Sequence, residues 1–444
     1  MAVKDLHLLT ALQAADAIRA GRLSSADLVQ ACLEQIGDDP LKAWACLDAD
    51  IALVQAQEMD RLRKAGRATG ALHGVPVGLK DIIDTRFMPT ERGTPIFAGR
   101  KPEADATIVN LLREAGAVIM GKTKTTELAF VHPTDTMNPH DPARTPGGSS
   151  SGSAAAVAAC HVPLAVGSQT GGSVIRPASF CGTYGVKPTR GVIARTGVLQ
   201  TSETLDHLGV FARTLTDAAL LCDVLGHFDP RDPASFGRPR PGQLAGAEAD
   251  VPVEPDIVWF DFEFNNLLDD DAREGLDAVI EALGPRVTRL PVSATLADLV
   301  AVHITIHEYE FCQHLGPVIS EHADALSETL TPIIARGKEI TKDQYEDAMA
   351  VKASADAFFA KHFLDFDAVL SPAATGEAPR LADGTGDPVF CRIASLCGLP
   401  ALTMPLLVGE NELPIGVQLY GAVEEDDRLL RTANWMQTAL AAEV

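Results

Sequence analysis

The sequence is poor in several features that would narrow its class at once. Its eight cysteines stand at 32, 46, 160, 181, 222, 312, 391 and 397, and no two form a C-x-x-C pair. That argues against a zinc ribbon or a thioredoxin-type site. The scattered set reads instead as small, reduced, buried hydrophobes of an intracellular protein. Positive charge is scarce: 37 Lys and Arg face 60 Asp and Glu, a formal net charge of −23. Such a surface repels phosphate backbones and argues against a nucleic-acid or anionic-membrane partner. Long apolar runs are missing too. The longest near-apolar stretch, Ala154 to Val166, is broken by His161 and Pro163 and is too short to span a bilayer. The N-terminal MAVKDLHLLTALQAADAIRAG has no basic start followed by an apolar block, so no signal peptide is expected and the expected location is cytoplasmic.

What is there suits a large folded protein. The 444 residues are 46% hydrophobic and 22% charged. A chain of this size buries about three quarters of its unfolded surface and needs neither disulfide nor metal to hold a core. Residues 5 to 70 read as helices, with Ser24 or Ser25 as a cap. Val75 to Lys80, Ala117 to Met120 and Val162 to Val166 read as buried strands. Helices are expected at 107–115 and 154–160, with a small-residue loop at 145–153. Strands alternating with helices predict an α/β fold, a mixed sheet covered by helices on both faces.

Prolines at 230, 233, 239, 241, 252 and 255 mark residues 228–256 as a loop or linker. A strand at 257–262, helices at 269–283, 295–315 and 341–363, and strands at 367–370 and 401–404 are expected beyond it. The proline-rich stretch divides two domains, or it is a loop within one whose strands share a sheet.

Glycine and serine carry the chemical signal. Gly147-Gly-Ser-Ser-Ser-Gly-Ser153 precedes a helix, and Gly167-Ser-Gln-Thr-Gly-Gly-Ser173 follows a strand. Taken singly, each reads as a flexible turn. Together, separated by one helix and one strand, they return to the same edge of a sheet. In the second loop, consecutive glycines let backbone N–H groups converge on one point beside the Ser173 hydroxyl, as an oxyanion hole requires. A serine nucleophile needs a base. No G-x-S-x-G elbow surrounds Ser173 and no histidine is placed by sequence. Lys80 is the alternative base: it ends the apolar run VPVGL, where burial favours the neutral amine. Read alone, a lysine at a strand end snorkels to solvent. Asp81 and Asp84 beside it read as polar loop residues.

These pieces resemble the amidase signature family. The resemblance rests on HGVPVGLKDIIDT at 73–85, GGSSSGSAAAVAA at 147–159 and VGSQTGGSVIRPASFCGTYGVKPTRG at 166–191. Weaker echoes lie at 204–225 and 398–421, and the likeness thins between about 228 and 345. The resemblance implies one amidase signature domain over 1–444. Its parts are a helical segment at 1–70, a catalytic core at 71–225, the proline-rich loop at 228–256, a helical substrate-side part at 257–364, and a C-terminal sheet and helix at 365–444. It implies a Ser–Ser–Lys triad of Ser173 as nucleophile, Ser149 as bridging serine and Lys80 as base. It also implies a cis Gly148–Ser149 peptide and an oxyanion hole built from the N–H groups of Thr170, Gly171, Gly172 and Ser173. No cofactor or metal is implied. The partner implied is a small-molecule amide, with no nucleic acid or membrane, and homodimers are familiar among relatives.

Ser151, Gln169 and the offset of Arg176 depart from many members and resemble malonamidase. That likeness makes Arg176 a candidate clamp for a substrate carboxylate, against the plainer reading of an arginine bonding nearby carbonyls. It also places His307 in the pocket. His303 and His307 share a helix face, but Ile304 and Ile306 occupy the positions where H-E-x-x-H or H-x-x-E-H needs glutamate, so zinc is not expected. Gly116 to Thr123 fits the P-loop pattern G-x-x-x-x-G-K-[ST], although its spacer AVIM itself reads as a strand. The expected activity is therefore cleavage of an amide C–N bond in a carboxylate-bearing substrate such as malonamate. The alternatives are an aryl-acylamide, carbamate or ureido hydrolase, the amidase subunit of a tRNA-dependent amidotransferase, and, from a different class, a P-loop nucleotide binder.

Overall fold

The apolar run ahead of Lys80 forms a strand with both faces covered, and ten more strands extend it into one mixed sheet. A computed structural model describes residues 3–442. In chain order the strands are β1 (Trp44–Leu47), β2 (Pro76–Lys80), β3 (Val118–Thr123), β4 (Leu164–Gln169), β5 (Tyr184–Lys187), β6 (His207–Ala212), β7 (Ile257–Asp261), β8 (Val287–Pro291), β9 (Ala368–Pro372), β10 (Ala401–Val408) and β11 (Pro414–Tyr420). Their spatial order is β1-β3-β2-β4-β6-β5-β10-β11-β9-β7-β8. The β2–β3, β2–β4, β7–β8 and β7–β9 pairs are parallel, and the others are antiparallel. Every residue of β2, β3 and β6 is buried, including Lys80, Lys122 and His207, and the rest of each strand is apolar or small apart from Thr123. Helices pack on the sheet, making this the α/β fold expected from the sequence.

The proline-rich stretch does not separate two sheets. Strand β5 before it pairs with β10 after it through Ala401↔Lys187 to Thr403↔Gly185. The stretch is also not all loop. Gln243–Glu248 forms a short helix between Pro241 and Pro252, with the Asp223 carboxylate accepting from the N–H groups of Gln243 and Leu244 at 2.7 and 2.9 Å.

Other expectations need correction. Residues 5 to 70 are not all helical: β1 lies among them and pairs antiparallel with β3, with a register shift between Trp44 and Cys46. Four residues at a sheet edge carry too little alternation to be read as a strand. The loop expected at 145–153 is shorter, because the helix Ser151–Ala158 begins inside it. Ser151 Oγ donates to the Gly147 carbonyl at 2.7 Å and occupies the first turn. The helix expected at 295–315 is broken at Asp298 into Ala294–Ala297 and Leu299–His314. Strands β5, β6, β8 and β11 carry no strand reading in the sequence. For β8 the reason is plain: it lies at the sheet edge with no fully buried residue. Ser24, rather than Ser25, caps its helix, accepting from the Asp27 N–H.

The P-loop reading fails on topology. A phosphate-cradling loop follows its strand and opens a helix, whereas Gly121-Lys122-Thr123 is the end of β3 itself. Lys122 is fully buried. Its Nζ donates to the Ile83 carbonyl and to Thr90 Oγ1, and Asp81 lies 4.0 Å away.

Candidate active site

Strands β2 and β4 are parallel neighbours in the register Leu79↔Val166. Their carboxyl ends therefore emerge side by side, the usual place for a site in an open α/β sheet. Lys80 ends β2 and Gln169 ends β4. Lys80 is completely buried, and its Nζ donates to Ser149 Oγ at 2.6 Å and to Ser168 Oγ at 2.8 Å. Burial pushes the lysine down from 10.5 to about 7, although the Asp206 charge pulls the other way. The amine is thus largely neutral near pH 7.5, as a base must be. The snorkelling alternative does not apply to a side chain with no exposure.

Ser149 is brought to Lys80 by a firmly anchored loop. The Gly148–Ser149 peptide is cis. The Ser149 carbonyl accepts from the Thr126 N–H at 3.1 Å, and the Ser168 N–H donates to Ser150 Oγ at 3.3 Å. Arg176 Nη2 donates to the Gly148 carbonyl at 2.6 Å and to Thr385 Oγ1 at 3.3 Å.

The Thr170–Ser173 loop joins β4 to the helix Ile175–Cys181. Its carbonyls are engaged: Thr170 with His303 Nε2 at 2.9 Å, Gly171 with Ser395 Oγ at 2.7 Å, and Gly172 with the Arg176 N–H at 3.0 Å. In a trans peptide the N–H points opposite to the carbonyl. The N–H groups of Gly171, Gly172 and Ser173 therefore turn away from these anchors. With that of Thr170 they take no backbone partner among the described residues. The Gln169 side chain folds across the loop, accepting from the Val174 and Ile175 N–H groups at 2.9 and 3.0 Å and donating to Ser395 Oγ at 3.0 Å. Glycine is required at 172, where a Cβ would lie 2.9 Å from Pro388 Cβ.

Ser173 opens onto a cavity of about 400 Å³ that Gly171, Gly172, Arg176, His307 and Arg392 also line. No hydrogen bond joins Ser173 to Ser149 in this structure. Arg176 is buried, and its Nε and Nη1 have no partner among the described residues. It thus bonds a backbone carbonyl and keeps two buried donors unpaired. Burial lowers its guanidinium to about 10, so it stays charged at neutral pH. His307 lies against Phe130 with ring centroids 4.4 Å apart and planes tilted by 30°, and burial, together with the Arg392 charge, pushes it down to about 3. It is a neutral wall of the cavity. Glu308 closes another side, paired with Arg336 at 2.5 Å.

Among the described residues, no group of three His, Cys, Asp or Glu side chains could hold a metal, and no helix is long and apolar enough to cross a membrane. Sequence reasoning missed the parts played by Ser168, Asp206, Ser395 and Arg392. Ser168 sat inside the second loop motif. The other three lie far along the chain from the loop they serve, from 36 residues for Asp206 and Thr170 to 224 for Ser395 and Gly171, and only the fold brings them near it. Asp206 Oδ1 accepts from Thr170 Oγ1 at 2.6 Å.

Residues 27–430 match the Amidase family model. The chain is 33% identical to a glutamyl-tRNA(Gln) amidotransferase subunit from Acidothermus cellulolyticus, over 98% of this chain and 95% of that protein. Among solved structures it is similar to a chain of a vestigial protein complex described as revealing the evolutionary origins of an s-triazine catabolic enzyme. The TM-score is 0.91, with 27% identity over 97% of this chain and 98% of that one. A crystal structure of an amidase matches with a TM-score of 0.85 and 28% identity over 97% and 99% of the two chains. The chain belongs to the amidase signature family, whose members hydrolyse amide C–N bonds.

Proposed function

We propose that Ser173, Ser149 and Lys80 hydrolyse the amide of a small, carboxylate-bearing substrate through an acyl-enzyme. The observation that carries this is the buried Lys80 amine 2.6 Å from Ser149 Oγ, together with a loop ending at Ser173 whose N–H groups take no backbone partner among the described residues. Neutral Lys80 takes the Ser149 proton as Ser149 takes that of Ser173. The Ser173 oxygen attacks the carbonyl carbon, and the N–H groups of Thr170 to Ser173 receive the oxyanion. The proton returns through Ser149 to the leaving nitrogen, the C–N bond breaks, and ammonia or an amine departs. Water then attacks the ester by the same relay and frees Ser173. Two guanidinium groups, Arg176 and Arg392, support a substrate with an anionic tail, since both line the Ser173 cavity and Arg176 has unpaired donors.

A second reading is favoured by the relatives. A role as the amidase component of a larger assembly is supported by the likeness to the amidotransferase protein over nearly the whole chain and by the match to a chain from a protein complex. No relative named above carries malonamate in its description. Both readings require ammonia release from a small carboxylate-bearing amide, and they differ in where the nitrogen goes. The test measures ammonia from malonamate and from glutamine with wild type and Ser173→Ala. Release by wild type alone supports the nucleophile, and the preferred amide assigns the acyl length. Release only in the presence of a partner protein favours the amidotransferase reading. Equal release by both proteins refutes the assignment of Ser173.

A further inference from the structure

One anchor of the Thr170–Ser173 loop is tied to the cavity through Arg392. His303 is completely buried on the helix Leu299–His314, with its Nε2 2.9 Å from the Thr170 carbonyl and its Nδ1 2.9 Å from Arg392 Nη1. Arginine can only donate, so Nδ1 accepts and the proton stands on Nε2, which donates to Thr170. The imidazole is therefore neutral and fixed in one tautomer. The Thr170 carbonyl shares a planar peptide with the Gly171 N–H. Whatever holds the carbonyl thus sets the direction of an oxyanion donor. The ring also packs against the loop: a Cβ on Gly171 would lie 3.6 Å from His303 Cε1. Among the described residues, Arg392 makes its one side-chain hydrogen bond to His303, and it lines the cavity with its other N–H groups uncommitted.

We propose that Arg392 and His303 form a positioning pair that ties recognition of a substrate carboxylate to the geometry of the oxyanion hole. The inference rests on the amide-hydrolase reading and deepens it. The anion on the acyl part engages Arg392, Arg392 holds Nδ1 of His303, and His303 holds the Thr170 carbonyl so that the Gly171 N–H faces the reacting oxygen. His303 does not touch substrate, and its effect falls on turnover. Arg392 acts on both binding and turnover. A substrate without the anion leaves the guanidinium unpaired and the loop less firmly set.

The probes are mono-4-nitrophenyl succinate, which carries a carboxylate, and 4-nitrophenyl butyrate, which does not. Both report acylation through nitrophenolate release. His303→Phe fills the site but has neither donor nor acceptor, and it should lower kcat on both esters by about 100-fold, the scale of a misplaced oxyanion donor. Its KM should change by less than about threefold. His303→Gln supplies a donor and an acceptor and should recover kcat to within about tenfold of wild type. Arg392→Met should erase at least about tenfold of the preference for the anionic ester and also lower kcat on the neutral one. Thermal unfolding of each variant identifies those that remain folded. A folded His303→Phe protein with kcat within about twofold of wild type overturns the proposal, as does a Gln variant no better than Phe. Unchanged ester preference in Arg392→Met overturns it as well. Wild type that cleaves neither ester, and whose Ser173 resists a fluorophosphonate, overturns the amide-hydrolase reading and this inference with it.

Discussion

If Lys80 is the base, the rate of Ser173 acylation follows the titration of a lysine that burial has moved. A lysine with the ordinary value of 10.5 would be neutral in only about one molecule in a thousand at pH 7.5, whereas at about 7 roughly three quarters are neutral. Burial thus raises the supply of active base several hundredfold before any geometry is considered. The assay is the rate of Ser173 labelling by a fluorophosphonate, followed by mass spectrometry between about pH 5.5 and 9.5, a reagent without a titrating group of its own. The rate should climb through a single-proton step near about 7 and level off above it. Lys80→Met should remove the step and slow labelling by about 10²–10⁴. The same substitution carries a stability signature of opposite sign. Between about 7 and 10.5 the unfolded wild-type chain binds a proton that the folded chain lacks, so wild-type stability rises with pH across that window. Lys80→Met lacks this penalty and should have the higher urea midpoint near pH 7, with the advantage shrinking toward pH 10.5. A labelling step near 10, or a Lys80→Met profile that keeps the wild-type step, would refute the reasoning.

Other outcomes follow from the packing and can be checked separately. Gly172→Ala places a Cβ 2.9 Å from Pro388 Cβ and 3.1 Å from Cys391 Cβ, and should cut kcat/KM by about 100-fold in the ester assay. Phe211→Ala empties a fully buried site in β6 and should cost about 3–5 kcal/mol in urea titration. Asp232 ties the proline-rich segment to Arg195 at 2.8 Å and accepts from the Ala234 N–H at 3.0 Å. Asp232→Ala should cost about 3 kcal/mol and open residues 228–241 to limited proteolysis, read by gel and mass spectrometry.

The local part of the site was legible because its chemistry is carried by short segments. The Gly/Ser runs announce loops where only small residues fit, and the apolar run VPVGL announces a buried strand that takes Lys80 inside with it. The buried strands β2, β3 and β4 could be read from their apolar composition. Short or edge strands could not: β1 has four residues, and β8 faces solvent along much of its length. Their pairing partners supply the stability that their own composition does not advertise.

The sequence by itself determined the class of chemistry, because residue type sets it: a serine beside consecutive glycines, and a lysine at the end of an apolar run. Tertiary structure decided the rest. The parallel register of β2 and β4 puts Lys80 against Ser149 and Ser168, and burial there makes the amine a base near neutral pH. The segment between β9 and β10 brings Arg392 and Ser395 back to a loop more than 200 residues earlier. Arg176 shows the division most clearly. Its sequence offset suggested an anion clamp, and only the fold revealed that one nitrogen holds the Gly148 carbonyl while two others remain free. Such long-range contacts depend on which strands pair, and no local pattern of residues encodes that.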